Sequence, residues 1–302
     1  NPHMVTIILV NWKNYDDTYD CLNSLNLIDQ TDVRIIIVDN ESKPEEAEKL
    51  KNNYPKIILT AQKRNLGFTG ACNIGIKQAL HFGAKYVMLL NNDTIITKDF
   101  LNPLLATLNS SPQIGAVQPK ILFHDRPNRI WNAGGRINPI NTSAKTLGYN
   151  QIDSSKFNNS MDVDWITGCC ILLKSTIITD AGLLNDKFFA YYEDVDWSLR
   201  IRNLNARLVY NPAATIYHKV GASSKSKVQT DEGYLSPTAH FLNIRNHIFI
   251  VRLYAKGFNV LTSHIFLLIN IICYLIYFVL RGRKKKFKKS LAGFFEGYKT
   301  VL

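Results

Sequence analysis

The chain has 302 residues, 46% of them apolar, and a formal net charge of +12. That length allows one large domain or one domain with an appendage, and the apolar fraction excludes a wholly disordered chain. The charge points to an anionic partner, but seven basic residues lie in one run at 281–289, leaving the remainder only mildly basic.

The predicted elements follow in order. Residues 5–10, Val-Thr-Ile-Ile-Leu-Val, are a β-branched run that reads as a first strand ending at Asn11-Trp12. Tyr19, Leu22 and Leu25 recur at helical spacing within 16–27. Residues 34–39 are a second buried strand ending in Asp39-Asn40-Glu41-Ser42, and 44–53 a charged helix with Pro44 near its first turn. Residues 57–60 form a third strand and 69–82 a helix entered through Asn65-Leu-Gly67. The run at 86–90 stops abruptly at Asn91-Asn92-Asp93, as a strand buried on both faces of a parallel sheet does.

Four strands thus alternate with three helices before residue 94, the pattern of a doubly wound parallel sheet with right-handed crossovers. Ligands of open α/β sheets bind beyond the carboxyl ends of the strands. Asn11, Asp39, Asn65 and Asp93 all fall at such ends. The plain structural reading of each is a turn residue satisfying backbone N–H groups. The glycine-rich stretch 65–75 matches neither G-x-G-x-x-G nor a P-loop, which excludes a dinucleotide fingerprint and a P-loop ATPase. Its plain reading is tight helix–sheet packing at Gly70 and Gly75.

Residues 98–108 read as a helix and 115–119 as the start of a strand. The polar stretch 126–159 reads as a loop-rich excursion with room for a hairpin. Residues 163–173 read as one apolar strand followed by a short helix. The aromatic run Phe188-Phe-Ala-Tyr-Tyr192 then delivers Glu193 and Asp194 to a helix start. Acids are favoured there by the helix dipole, which is the structural reading. The chemical reading is a general base whose pKa is raised by burial. Asp196 and Arg200, four apart, suit an ion pair on that helix. Residues 207–218 form another strand, ending at His218.

Residues 237–256 read as a helix, and 258–280 are apolar except at Asn259, Thr262, Ser263, His264 and Asn270. About 20 apolar residues can span a bilayer. Basic residues on both flanks suit a helix lying in the interface or a re-entrant pair, with the 281–289 run drawn to an anionic membrane surface. The alternative is a helix buried in a homodimer. Nucleic acid is not expected, because the basic run has only Phe287 as a stacking platform. The cysteines Cys21, Cys72, Cys169, Cys170 and Cys273 are odd in number and lack a C-x-x-C pair, which suits reduced thiols in a cytosolic setting. No signal peptide is expected from the opening residues. Asn1-Pro-His is set aside as an expression remnant, with Met4 read as the natural start.

Taken in order, Val10-Asn-Trp, Val38-Asp-Asn-Glu-Ser42, the 65–75 stretch, Leu89-Leu-Asn-Asn-Asp-Thr94, Thr167-Gly168, residues 192–200 and Ile216-Tyr-His218 resemble glycosyltransferase family 2, most of all its bacterial rhamnosyltransferase-type members. The resemblance covers roughly 5–220. It implies a GT-A fold, a mixed and mainly parallel sheet flanked by helices, over 4–236. Residues 4–95 would be the nucleotide-binding half and 96–236 the acceptor and catalytic half, with 237–302 a helical membrane-associating region.

The resemblance also implies roles. Asp39 would contact a pyrimidine base, and Asn11, Asn65, Gly67, Asn73 and Asn92 would line the nucleotide pocket. Asp93 and His218 would hold Mg2+ or Mn2+. Trp165, Thr167, Gly168 and Arg200 would meet the sugars. Asp194, beside Glu193, would be the base of an inverting transferase. The implied donor is a dTDP-sugar, rhamnose, or a UDP-sugar such as galactofuranose, galactose or GlcNAc. The acceptor would be a lipid-linked surface glycan at the cytoplasmic face of the membrane. The family's metal motif is usually Asp-x-Asp, and Asn91 stands at its first position. An amide is a poorer ligand for a hard cation than a carboxylate. Asn91 is also what would suit a non-catalytic nucleotide-sugar-binding scaffold.

Overall fold

The computed structural model describes residues 4–29, 31–220 and 235–302. The reading of residues 1–3 as a remnant lies outside them. The described residues divide into two compact units. The second consists of 137–145, 187–193 and the chain from 235 onward, and the first holds the rest.

The first unit opens with β1 (Val5–Asn11), α1 (Tyr15–Leu25), β2 (Val33–Asp39), α2 (Pro44–Asn53), β3 (Ile58–Ala61), α3 (Gly67–His81) and β4 (Tyr86–Leu90). There follow β5 (Thr94–Ile96), α4 (Leu101–Ser110), β6 (Ile114–Phe123), β7 (Ile130–Asn132), β8 (Gly135–Ile137), β9 (Ala144–Thr146), β10 (Met161–Val163), β11 (Cys170–Lys174), α5 (Ser175–Ala181), α6 (Glu193–Asn203) and β12 (Arg207–His218), of which Ile137, Ala144, Lys145 and Glu193 fall in the second unit. The sheet runs β10-β12-β6-β11-β4-β1-β2-β3. β3, β2, β1 and β4 are parallel, whereas β11 is antiparallel to both β4 and β6. β1 and β2 are paired so that Asn11 lies beside Asp39. The period-2 alternation of the strands explains why both faces are apolar. Ile7, Leu9, Ile37 and Met88 pack with α1 and α4, while Ile8, Ile36, Val87 and Leu89 pack with α3 and α6.

Residues 163–173 do not form one strand. β10 ends at Val163 and β11 begins at Cys170. Between them three consecutive backbone N–H groups donate to side chains instead of a neighbouring strand. Ile166 donates to Ser198 Oγ (3.0 Å), Thr167 to Gln118 Oε1 (3.2 Å) and Gly168 to Asp194 Oδ2 (2.9 Å). A buried N–H must be paired, and these partners take the place of a ladder. The 126–159 excursion carries β7, β8 and β9 and is tied down through Lys120, a buried residue of β6. Its Nζ donates to Asp153 Oδ1 and Asn158 Oδ1, both at 2.8 Å.

The second unit contains α7 (Pro237–Tyr254), α8 (Phe258–Leu280) and α9 (Lys284–Lys299). Ser236 caps α7 by accepting from Ala239 N, and Pro237 occupies the first turn. The basic run, expected within a helical membrane-associating region, supplies the first turns of α9 from Lys284 to Lys289. α9 lies close on α7 because Gly293 and Gly297 face it: a Cβ at Gly293 would sit 2.5 Å from the Phe241 carbonyl oxygen. α8 has 23 residues, and among the described residues it is the helix long and apolar enough to cross a membrane. Leu261, Ile265, Leu268, Ile269, Ile272 and Ile276 on it are exposed.

Candidate active site at the strand ends

Polar residues at the ends of β1, β2 and β4 form one hydrogen-bonded cluster. Asn11 Nδ2 donates to Asp39 Oδ1 (2.8 Å), and Tyr15 Oη donates to Asp39 Oδ2 (2.7 Å). Both Asn11 and Asp39 are fully buried. Asn92 Nδ2 donates to Thr18 Oγ1 (2.8 Å) and to Asn11 Oδ1 (3.3 Å). Burial, with Asp39 adding to it, pushes the Tyr15 phenol up to about 12, so Tyr15 remains a neutral donor that orients the carboxylate. Tyr15 and Thr18 were not foreseen from the sequence. Tyr15 is the first residue of α1, where an aromatic reads as a core residue.

Asn40 organises the next loop. Its Nδ2 donates to Asn65 Oδ1 (2.9 Å) and Gly67 O (3.2 Å), and its Oδ1 accepts from Leu66 N (2.8 Å). Asn65 Oδ1 also accepts from Gly67 N (2.8 Å). Gly67 has φ of +74°, a conformation that suits glycine and lets α3 start beside the strand ends. Gly75 has a packing role: its Cβ would lie 2.4 Å from Ile8 Cγ2 on β1. Asn73 is placed differently from its expected nucleotide role. Its amide donates to Leu184 O and Asp186 Oδ1 (both 2.8 Å) and accepts from Leu184 N (3.0 Å). All its hydrogen-bonding capacity but one lone pair ties α3 to the 184–186 segment.

At the end of β4, Asp93 Oδ1 lies 3.1 Å from His218 Nε2 at the end of β12. Both are buried, and the edge of Trp131 packs on the imidazole with centroids 4.2 Å apart. Among the described residues no group of three or more His, Cys, Asp or Glu forms a metal cage. A carboxylate with an imidazole nevertheless suits Mn2+ or Mg2+, ions bound by few protein ligands that leave positions for phosphate oxygens and water. The residues present therefore fit the implied ion.

Asp194 lies at the start of α6 and is partly exposed. Its Oδ2 accepts from Gly168 N (2.9 Å), and its Oδ1 from Val195 N (2.8 Å). Surrounding protein pushes its carboxyl above the ordinary value, while the Gly168, Val195 and Thr167 hydrogen bonds oppose that shift. Thr167 and Gly168, expected to meet sugars, are thus direct partners of Asp194. Trp165 is buried, with its ring over Gly135, where a Cβ would lie 2.0 Å from the indole. Arg200 is also placed differently from its expected sugar role. It pairs with Asp196 (2.9 Å) and donates to Ala181 O (2.6 Å), so it is committed to holding α6. Glu193 is buried and belongs to the second unit.

Residues 6–169 match the family model for Glycosyl transferase family 2. A low-salt glycan biosynthesis hexosyltransferase of Haloferax volcanii is 25% identical over 209 residues, covering 68% of this chain and 63% of the relative. An N-acetylglucosaminyl-diphospho-decaprenol L-rhamnosyltransferase of Mycobacterium tuberculosis is 23% identical over 220 residues, covering 65% of this chain and 70% of the relative. The structure of GalNAc-T7 with UDP, GalNAc and Mn2+ shares the fold, with a TM-score of 0.65 at 13% identity over 85% of this chain and 49% of that one. The chain thus spans less than two thirds of the Haloferax relative and about half of GalNAc-T7. Asp194 and His218 lie beyond the matched stretch.

Proposed function

Since the chain belongs to glycosyl transferase family 2, we propose that it moves L-rhamnose from dTDP-rhamnose to a lipid-linked surface-glycan acceptor with inversion. Membership of the family supports a nucleotide-sugar-dependent glycosyltransferase. The observation that carries the mechanism is the Asp194 carboxylate, fixed by the Gly168 N–H and raised by its surroundings, which is what a general base near neutral pH needs. Rhamnose is supported by the named activity of the mycobacterial relative and by the ordered motifs.

Asp194 takes the proton of an acceptor hydroxyl. The freed oxygen attacks the anomeric carbon from the face opposite the leaving group. The bond from that carbon to the diphosphate oxygen breaks, and the nucleoside diphosphate leaves with the electron pair. The Asn11–Asp39–Asn92 cluster and the Asn40-held loop would receive the nucleotide. Asp93 and His218 would hold Mg2+ or Mn2+, which would supply positive charge to the departing diphosphate.

Membrane association rests on α8 and α9. At about 1.5 Å per residue α8 is about 35 Å long, more than a hydrocarbon core of about 30 Å. α9 starts with Lys284, Lys285, Lys286, Lys288 and Lys289 at the positive end of its own dipole. Anionic headgroups would relieve that arrangement. Nucleoside diphosphate release from a panel of dTDP-, UDP- and GDP-sugars, with and without Mn2+, tests the reading. Turnover of dTDP-rhamnose is expected. Turnover of a UDP-sugar alone would replace the donor, and nucleotide binding without turnover of any sugar would leave a nucleotide-sugar-binding scaffold.

A further inference from the structure

The segment that leads into Glu193 and Asp194 is held in a conformation its own residues disfavour. Phe189, Tyr191 and Tyr192 have φ of +63°, +68° and +66°. Bulky L-residues seldom adopt the left-handed region, and three within four residues persist only if something outside the segment fixes them. α7 does so. Asn246 is fully buried, and its Nδ2 donates to the carbonyls of Phe188 (2.9 Å), Ala190 (2.7 Å) and Tyr191 (2.7 Å). Two amide hydrogens serve three carbonyls, so one is shared.

Its neighbours extend the hold. Arg245 Nη2 donates to the carbonyls of Lys187 (3.0 Å) and Phe188 (2.9 Å). Arg245 Nε donates to Asn246 Oδ1 (2.9 Å), which fixes the direction of the Asn246 amide. His247 stacks on Tyr192 with centroids 5.5 Å apart and planes 8° apart, and Phe249 meets Phe188 edge to face. Successive residues of one helix therefore grip successive parts of one loop.

We infer that α7 is the template for the 188–192 loop and that Asn246 is a positioning residue for the carboxylates that follow it. This rests on the reading of Asp194 as the base. It also gives the C-terminal helices, which lie outside the matched family residues, a part in turnover besides membrane association.

The test uses the full chain, with Asn246→Leu and Arg245→Met. Brief chymotrypsin digestion read by mass spectrometry reports cleavage after Phe189, Tyr191 and Tyr192. Calorimetry with dTDP and UDP reports nucleotide affinity. Turnover is followed with whichever of dTDP-rhamnose or UDP-galactose the unmodified chain consumes. Asn246→Leu should raise cleavage at those three bonds at least ~10-fold while other sites keep their rates. It should lower kcat at least ~10-fold with nucleotide affinity within about twofold. Arg245→Met should change both in the same direction by less, and it carries the test if Asn246→Leu does not fold. Unchanged loop cleavage and kcat in the folded variants would overturn the inference. So would faster cleavage throughout the chain with loss of nucleotide binding. Asp194→Asn is run alongside: full activity there sinks the base reading by itself, while the cleavage pattern still decides the template.

Discussion

Gly168 donates its backbone N–H to Asp194 Oδ2 across 2.9 Å, and that bond joins the interrupted strand of residues 164–169 to the start of α6. The break in the strand and the placement of the carboxylate are one feature: Gly168 N is free to hold Asp194 because it is not in a ladder.

Asp194→Asn keeps the shape and a carbonyl oxygen for Gly168 N but cannot take a proton. We expect kcat to fall by about 10²–10⁴-fold with nucleotide affinity unchanged. In the unmodified chain the acid limb of kcat/KM should lie above the ordinary carboxylate value, because burial raises Asp194 and the protonated form cannot act as base. Thr167 opposes that rise by hydrogen bonding to the carboxylate. Thr167→Val should therefore move the limb to higher pH. A pH–rate profile that moves to lower pH in this variant would contradict the arrangement.

His218 lies 3.1 Å from Asp93 with the Trp131 edge on its ring. His218→Ala removes one of the two side chains proposed to hold the ion and leaves the strand intact. The Mn2+ concentration for half-maximal turnover should rise by about 10–100-fold, while unfolding temperature changes little. A Mn2+ titration with the same midpoint in both proteins would remove His218 from the metal site.

The strands β1, β2 and β4 were legible because each is an apolar run cut off by polar residues, and α2 and α8 because their patterns carry clear ends. The cluster at the strand ends was legible for the same reason, since topology alone brings Asn11, Asp39 and Asn92 together. The rest was hidden by long-range pairing. Residues 163–173 have strand composition throughout, and the side chains of Gln118, Asp194 and Ser198, with Thr167 itself, take the N–H groups that would otherwise enter a ladder. Asn73 sits in a glycine-rich motif, yet its partners lie 111 and 113 residues away. The helical character of 237–302 was expected, but the packing of α9 on α7 was not, since it rests on Gly293 and Gly297 facing α7.

The close approach of Gly75 to Ile8 gives a stability prediction. A Cβ 2.4 Å from Ile8 Cγ2 cannot be accommodated without movement of β1 or α3. Gly75→Ala should destabilise the chain by about 1–3 kcal/mol in denaturant unfolding. Ile8→Leu in the Gly75→Ala background should recover part of the loss, because it removes the Cγ2 branch that the new Cβ would meet. Additive losses in the double mutant would show that the two residues do not share the strain.

The proposed membrane association would separate into an apolar and an electrostatic part. The exposed face of α8 should bind neutral phosphatidylcholine vesicles, and the lysines at the start of α9 should add affinity only for vesicles containing phosphatidylserine. Replacing Lys284, Lys285, Lys288 and Lys289 by Gln should weaken binding to anionic vesicles by up to about 1 kcal/mol per residue and leave neutral vesicles unaffected. Raising salt should mimic the substitution, since exposed charges are screened over about 10 Å at 0.1 M. Failure to bind either vesicle, together with a concentration-dependent dimer in sedimentation, would mean that the α8 face is covered by a second copy of the chain and that the basic turn of α9 serves another anion.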